Sequence, residues 1–123
     1  MRVALTLLVT LCVLLPAARG AGAAARFRGR ASYYAVGLGA CGWISKSSDL
    51  VVAVSPRVFD PGPRGAACGR RLRVSYAGRS ITARVVDRCA GCKREDIDLS
   101  RAAFSKLAQL SAGVIVVQWQ FAD

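Results

Sequence analysis

The chain contains no histidine, so acid–base chemistry must rest on carboxylates, and nucleophilic or redox chemistry on thiols. That removes Ser-His-Asp triads, Cys-His pairs and His-rich zinc sites. Asp87 and Asp98 stand out among the seven Asp and Glu residues, because they flank the short Cys89-Ala90-Gly91-Cys92 segment in loop-like sequence. Carboxylates beside a constrained loop are candidates for proton donation or ligand binding. A purely structural use is also open: Asp87 could pair with Arg84 or Arg88, and Asp98 could hydrogen-bond its loop or help cap a helix at Ser100.

The thiols point to structure rather than catalysis. Cys12 lies in an N-terminal apolar run, and the even set Cys41, Cys68, Cys89 and Cys92 remains. Two disulfides are expected, as in secreted domains. Four cysteines allow three pairings; Cys41–Cys68 with Cys89–Cys92 is favoured, since Cys-Ala-Gly-Cys can close a short ring. A zinc ribbon would need a second Cys-x-x-Cys knuckle. A thioredoxin-like site would need a helix after the motif, where the charged stretch Lys93-Arg94-Glu95-Asp96 stands instead. No metal or other cofactor is expected.

These residues must be positioned by a small scaffold. At 123 residues the chain has the size of one domain. Arg2, the apolar run 3–15, Pro16 and the small residues that follow read as a signal peptide over 1–20, cleaved after Gly20. The run is too short for the ~20 residues of a membrane span. Residues 21–30, rich in Gly, Ala and Arg, read as a flexible basic arm, and the domain is expected over 31–123. Strand signals occur at 32–34, 50–54, 72–76, 81–86 and 114–121. Leu72, Val74 and Tyr76 alternate with Arg71, Arg73 and Ser75, and Ile115, Val117, Trp119 and Phe121 with Val116, Gln118 and Gln120. Ala77-Gly78 predicts a tight hairpin, while Pro56 and Asp60-Pro61-Gly62-Pro63 read as loop. One helix is expected, with Ser100 as N-cap, Phe104, Leu107, Ala108 and Leu110 on one face, and Gly113 at its end. Five or six short strands with one short helix argue for a mainly β, closed or nearly closed barrel.

The ordered segments Ala83-Arg84-Val85-Val86-Asp87-Arg88-Cys89-Ala90-Gly91-Cys92, Asp96-Ile97-Asp98-Leu99-Ser100 and Ala103-Phe104 resemble the signature of the double-psi β-barrel (rare lipoprotein A-like) family. That family includes expansins, barwin-type proteins and small inverting endoglucanases. Ala31-Ser32-Tyr33-Tyr34, Gly39-Ala40-Cys41-Gly42-Trp43, residues 49–54 and Cys68-Gly69 are similar, in order and spacing, to its single-domain fungal branch, the loosenins or expansin-like proteins. The resemblance runs from about residue 31 to 121. It implies a six-stranded double-psi barrel with one or two short helices and an open groove that receives a polysaccharide chain. In that alignment Asp87 is the groove acid and Asp98 a second groove carboxylate.

Hydrolysis of a glycoside needs two carboxyls in complementary roles. The related endoglucanases carry their base soon after the first-strand aromatic pair, but this chain reads Tyr33-Tyr34-Ala35-Val36 there. Binding that disrupts chain packing is therefore expected in place of efficient cleavage, with weak glycosidase or lytic activity as the enzymatic alternative. Pyranose C–H faces stack on flat side chains. Alternation turns one of Tyr33 and Tyr34 to the groove, and the alignment points to Tyr34. Trp43 is divided between groove and core, whereas Tyr76 and Trp119 lie on inferred core faces.

The count of 18 Lys+Arg against 7 Asp+Glu becomes 16 against 7, a net +9, once Arg2 and Arg19 leave with the leader. Nucleic acid is a poor partner for a secreted disulfide protein without a binding signature. Arg71, Arg73 and Arg84 read as a solvated barrel face or as a means of adhering to anionic wall polymers, an attraction that salt would weaken. The leading expectation is a secreted, monomeric, expansin-like protein that loosens cell-wall polysaccharide such as cellulose or chitin. The alternative is a barwin-like or papain-inhibitor-like defence or effector protein that binds another protein.

Overall fold

The computed structural model describes residues 1, 3–15 and 25–123. Residues 3–15 form neither strand nor helix, and among the described residues no helix is long and apolar enough to cross a membrane. The expected cleavage site and residues 21–24 of the basic arm lie outside the described residues.

Six strands close into a barrel: β1 (Phe27–Tyr33), β2 (Val51–Val54), β3 (Arg71–Tyr76), β4 (Arg79–Arg88), β5 (Ile97–Leu99) and β6 (Ile115–Phe121). Around the wall they run β1-β5-β2-β4-β3-β6. The pairs β1–β5 and β2–β4 are parallel and the rest antiparallel. This mixed, closed, six-stranded wall is the double-psi barrel that the resemblance implies. Two helices, α1 (Pro56–Phe59) and α2 (Arg101–Leu107), and a 3-10 turn at Leu110–Ala112 complete it.

Period-two patterning explains the wall. Leu72 and Val74 of β3, Ile81, Ala83 and Val85 of β4, and Ile115, Val117 and Trp119 of β6 all enter one core, with Phe104 and Leu107 of α2 packed against it. Trp119 satisfies its buried N–H by donating to the Glu95 carbonyl at 2.8 Å. At the hairpin between β3 and β4, Ala77 and Gly78 both take positive φ, 47° and 77°, the pairing that a two-residue turn of matching twist requires.

Four expectations change. The first strand starts at Phe27, ahead of the expected domain boundary at Ala31: Phe27 stacks on Trp119 with ring centroids 4.4 Å apart, and the strand pairs with β6 from Phe27 to Ala31. The end of the basic arm is thus barrel wall. Residues 97–99, with too few positions to show a period, form a strand lodged between β1 and β2. Pro56 opens a short helix, its missing N–H costing nothing at the first turn. Finally, α2 stops at Leu107, because Ala108 turns extended; Leu110 then packs on the core from the 3-10 turn, and Gly113 at φ 70° closes that turn.

The two disulfides are Cys41–Cys68 and Cys89–Cys92, as favoured from sequence. The first ties the loop between β1 and β2 to the segment before β3; the second closes the short ring that follows β4.

Candidate functional site

The site is assembled by one row of residues across four strands. Asp98 on β5 is paired with Ser32 on β1 on one side and with Ala53 on β2 on the other. Ala53 is in turn paired with Asp87 on β4. The backbones that carry the two carboxylates are therefore two strand spacings apart, about 10 Å, with Ala53 between them. Ala53 is itself buried, so the accessible groups of the row are the half-buried side chains of Ser32, Asp98 and Asp87.

A backbone irregularity places Asp87 there. Ile81, Ala83 and Val85 point inward, so strict alternation would send Asp87 into the core and Val86 outward. The β2–β4 register shifts between Val52 and Ala53, where Val52 pairs with Val85 but Ala53 with Asp87. One extra residue on β4 rephases the strand. Val86 is then covered by the loop above, whose Cys41 N–H donates to the Val86 carbonyl.

Local donors fix both carboxylates. Oδ1 of Asp87 accepts the Ala40 N–H at 2.8 Å and the Arg88 N–H at 2.8 Å, and Oδ2 accepts the Tyr34 hydroxyl at 3.4 Å. Asp98 accepts the Ser32 hydroxyl at 3.0 Å. Burial pushes the Asp98 carboxyl above the ordinary carboxylate range, the Ser32 bond opposes this, and the charge of Asp87 adds to it. Burial, followed by Asp87, also drives the Tyr34 phenol upward, so Tyr34 remains a proton donor. The surroundings of Asp98 therefore favour its holding a proton.

The structural uses open to these residues are taken elsewhere. Arg88 forms a two-bond pair with Asp60, at 2.8 and 3.0 Å, which holds Asp60 below the ordinary range. Arg84 stacks over Trp43, 3.9 Å from the ring centre. The cap of α2 is the Ser100 hydroxyl, which accepts the Ala103 N–H. Neither Asp87 nor Asp98 forms a salt bridge among the described residues.

Of the residues singled out from sequence, Tyr34, Asp87 and Asp98 come together. Tyr33 faces the other way, edge-on to Phe104, with its hydroxyl donating to the Leu110 carbonyl. Trp43 is 38% exposed and lies between Arg84 and Gly69, in neither the core nor contact with the carboxylates. Ser32, Ala53 and the Ala40 N–H were missed. Ser32 was within reach, because it sits two residues before Tyr34 and so shares its side of the strand.

A closed six-stranded barrel with two disulfides, an outward row of carboxylates and a hydrogen-bonded tyrosine defines a class of small disulfide-linked domain. The chain belongs to the rare lipoprotein A-like double-psi β-barrel family, whose model, described as lytic transglycolase, matches residues 26–119. It is 41% identical over 102 residues to a papain inhibitor of Streptomyces mobaraensis, covering 78% of this chain and 71% of that protein. The solved Streptomyces papain inhibitor superposes with a TM-score of 0.74 at 38% identity, over 80% of this chain and 96% of that one. An expansin of Clavibacter michiganensis solved in complex with cellohexaose gives 0.71 at 27% identity, over 80% of this chain and 51% of that one. The chain thus spans about half of the solved expansin chain and nearly all of the solved inhibitor chain.

Proposed function

We propose that this is a secreted, expansin-like protein that seats a polysaccharide chain along the row Ser32, Asp98, Ala53 and Asp87 and loosens its packing without efficient hydrolysis. The observation that carries the reading is the pair of half-buried carboxylates set two strands apart, with the Tyr34 hydroxyl bonded to one of them. A sugar ring set against Tyr34 would present hydroxyls to both carboxylates. Asp98 can lend a proton to a glycan oxygen, and Asp87 accepts from hydroxyls while its backbone bonds keep it in place. Hydrolysis would need a carboxylate free to activate water; no acid follows Tyr33-Tyr34, and Asp87 is already engaged by the Ala40 and Arg88 N–H groups and the Tyr34 hydroxyl. The likeness to an expansin that holds cellohexaose supports this reading, and two disulfides suit an oxidising compartment.

A second reading, inhibition of a papain-like protease, is favoured by the match to the Streptomyces inhibitor across almost its whole length. One set of assays separates the two: pull-down on cellulose and chitin, weakening of cellulose fibres, release of reducing sugar, and inhibition of papain. Asp87→Asn is expected to reduce fibre weakening more than binding, since it keeps volume and removes charge. Tyr34→Ala is expected to lose binding first, by roughly fivefold for a ring contact of about 1 kcal/mol. If Asp87→Asn matches the wild type in both glycan assays while papain is inhibited, the groove reading fails and the inhibitor reading stands.

A further inference from the structure

The arc of wall opposite the carboxylate row carries a second, chemically different surface. The row lies on β1, β5, β2 and β4, whereas β6 and β3 occupy the far side of the ring, flanked by β1 and β4. Outward positions there are Arg28 and Arg30 on β1, Gln118 and Gln120 on β6, Arg71, Arg73 and Ser75 on β3, and Ser80, Thr82 and Arg84 on β4. The register assembles them into rows: Arg28, Gln118, Ser75 and Ser80 form one, and Gln120, Arg73 and Thr82 the next. A concavity of about 170 Å³ opens among Arg26, Arg73, Ser75, Gln118 and Gln120.

The arginine side chains of this surface form no ion pair among the described residues, although the Asp96 carboxylate accepts the Arg30 backbone N–H at 2.8 Å. Among the described residues the salt bridges are Arg57–Glu95, Arg70–Asp123 and Arg88–Asp60, none of which involves Arg28, Arg30, Arg71, Arg73 or Arg84. Arg71 and Arg84 stand directly opposite each other on antiparallel strands, an arrangement that destabilises a sheet. Stacking on Trp43 steadies Arg84 without neutralising it. An isolated fold gains nothing from such a pair, but a bound polyanion would relieve the repulsion.

The geometry points to this face as a binding surface for a carboxylate-bearing polysaccharide, a polyuronate. Successive outward arginines on one strand lie about 7 Å apart, giving a ladder of guanidinium forks that suit carboxylates. The intervening Gln, Ser and Thr side chains can meet sugar hydroxyls. Outward positions of these strands carry no aromatic ring, and Trp43, the ring that lies against them, already has a face taken by the Arg84 guanidinium, so no series of free rings is offered for stacking the bases of single-stranded nucleic acid. The surface is distinct from the carboxylate groove, and its occupation does not depend on the reading given for that groove.

The test uses the intact mature protein and polygalacturonate, measured by titration calorimetry at low and at physiological salt. Arg71→Gln/Arg73→Gln is expected to weaken binding roughly tenfold at low salt, each exposed ion pair being worth up to ~1 kcal/mol. Lys46→Gln/Lys106→Gln removes the same charge elsewhere and is expected to change affinity less than about twofold on the same scale. Pull-down on neutral glucan should be unaffected by the arginine pair, whereas Asp87→Asn acts on that pull-down alone. Equal losses in the two double variants would reduce the effect to net charge and overturn the proposal. Binding of duplex DNA as tight as that of polygalacturonate, lost with the same arginines, would overturn the choice of partner.

Discussion

Removal of the Cys41–Cys68 bond by Cys41→Ser/Cys68→Ser is expected to cost far more than removal of Cys89–Cys92 by Cys89→Ser/Cys92→Ser. The first bond spans a sequence separation of 27 and the second a separation of 3. If a cross-link acts by restricting the unfolded chain, the loss scales with the logarithm of loop length, giving about 3.6 kcal/mol for the long loop and less than about 2 kcal/mol for the short ring. The larger figure is a substantial part of the ~5–15 kcal/mol that holds such a domain, and corresponds to roughly 15–25 °C in Tm. Urea unfolding followed by circular dichroism would give both midpoints and slopes. The slope should rise when the long loop is opened, because the unfolded chain then exposes more surface. Losing this bond should also weaken glycan binding, since it anchors the loop from which the Ala40 N–H reaches Asp87. Equal losses for the two variants, or a long-loop variant as stable as wild type with an unchanged slope, would refute the loop-entropy argument.

Asp98→Asn should stabilise the protein near neutral pH while keeping an acceptor for Ser32. The sign follows from linkage: a carboxyl raised above its unfolded value of 3.8 contributes stability that is fully present below that pH and lost as pH rises through the folded value. Urea midpoints should therefore diverge at neutrality and converge below 3.8. Gly39→Ala would place a Cβ 2.3 Å from the Val86 carbonyl oxygen, a backbone atom with nowhere to retreat. A loss of about 1–3 kcal/mol is expected, with weaker glycan pull-down as the loop lifts from Asp87; Gly37→Ala, which meets nothing within 4 Å, serves as the neutral control.

The long strands were legible because their alternation is strong: β3 and β6 bury the residues that the pattern selects. Ser100 declared the start of α2, and the Ala77-Gly78 hairpin followed from the conformational freedom of a glycine. Of the site, the two aspartates and Tyr34 were visible, but their meeting was not a matter of local pattern. Asp98 rides on a three-residue strand too short to show a period. Asp87 faces outward only because of a register shift that depends on its pairing with β2, a non-local event that alternation along β4 alone would contradict. The reach of Phe27 into the wall was hidden by its Gly- and Arg-rich neighbours, since a single aromatic ring supplied the strand's anchor.

The closed ring of strands has a consequence for any protein partner. Every wall strand has a hydrogen-bonded neighbour on both sides, so another chain cannot join by extending the sheet. A protease cleft, which commonly grips an extended peptide, would find none offered by the wall. Were the inhibitor reading to hold, recognition would fall to segments between the strands, among them the 34–50 loop with its exposed Leu38 and Ile44, the Gly/Pro-rich stretch at 60–66 and the tight ring after β4 at 89–96. If this chain inhibits papain, grafting those segments onto another barrel of the family is expected to carry the inhibition with them while leaving the carboxylate row behind.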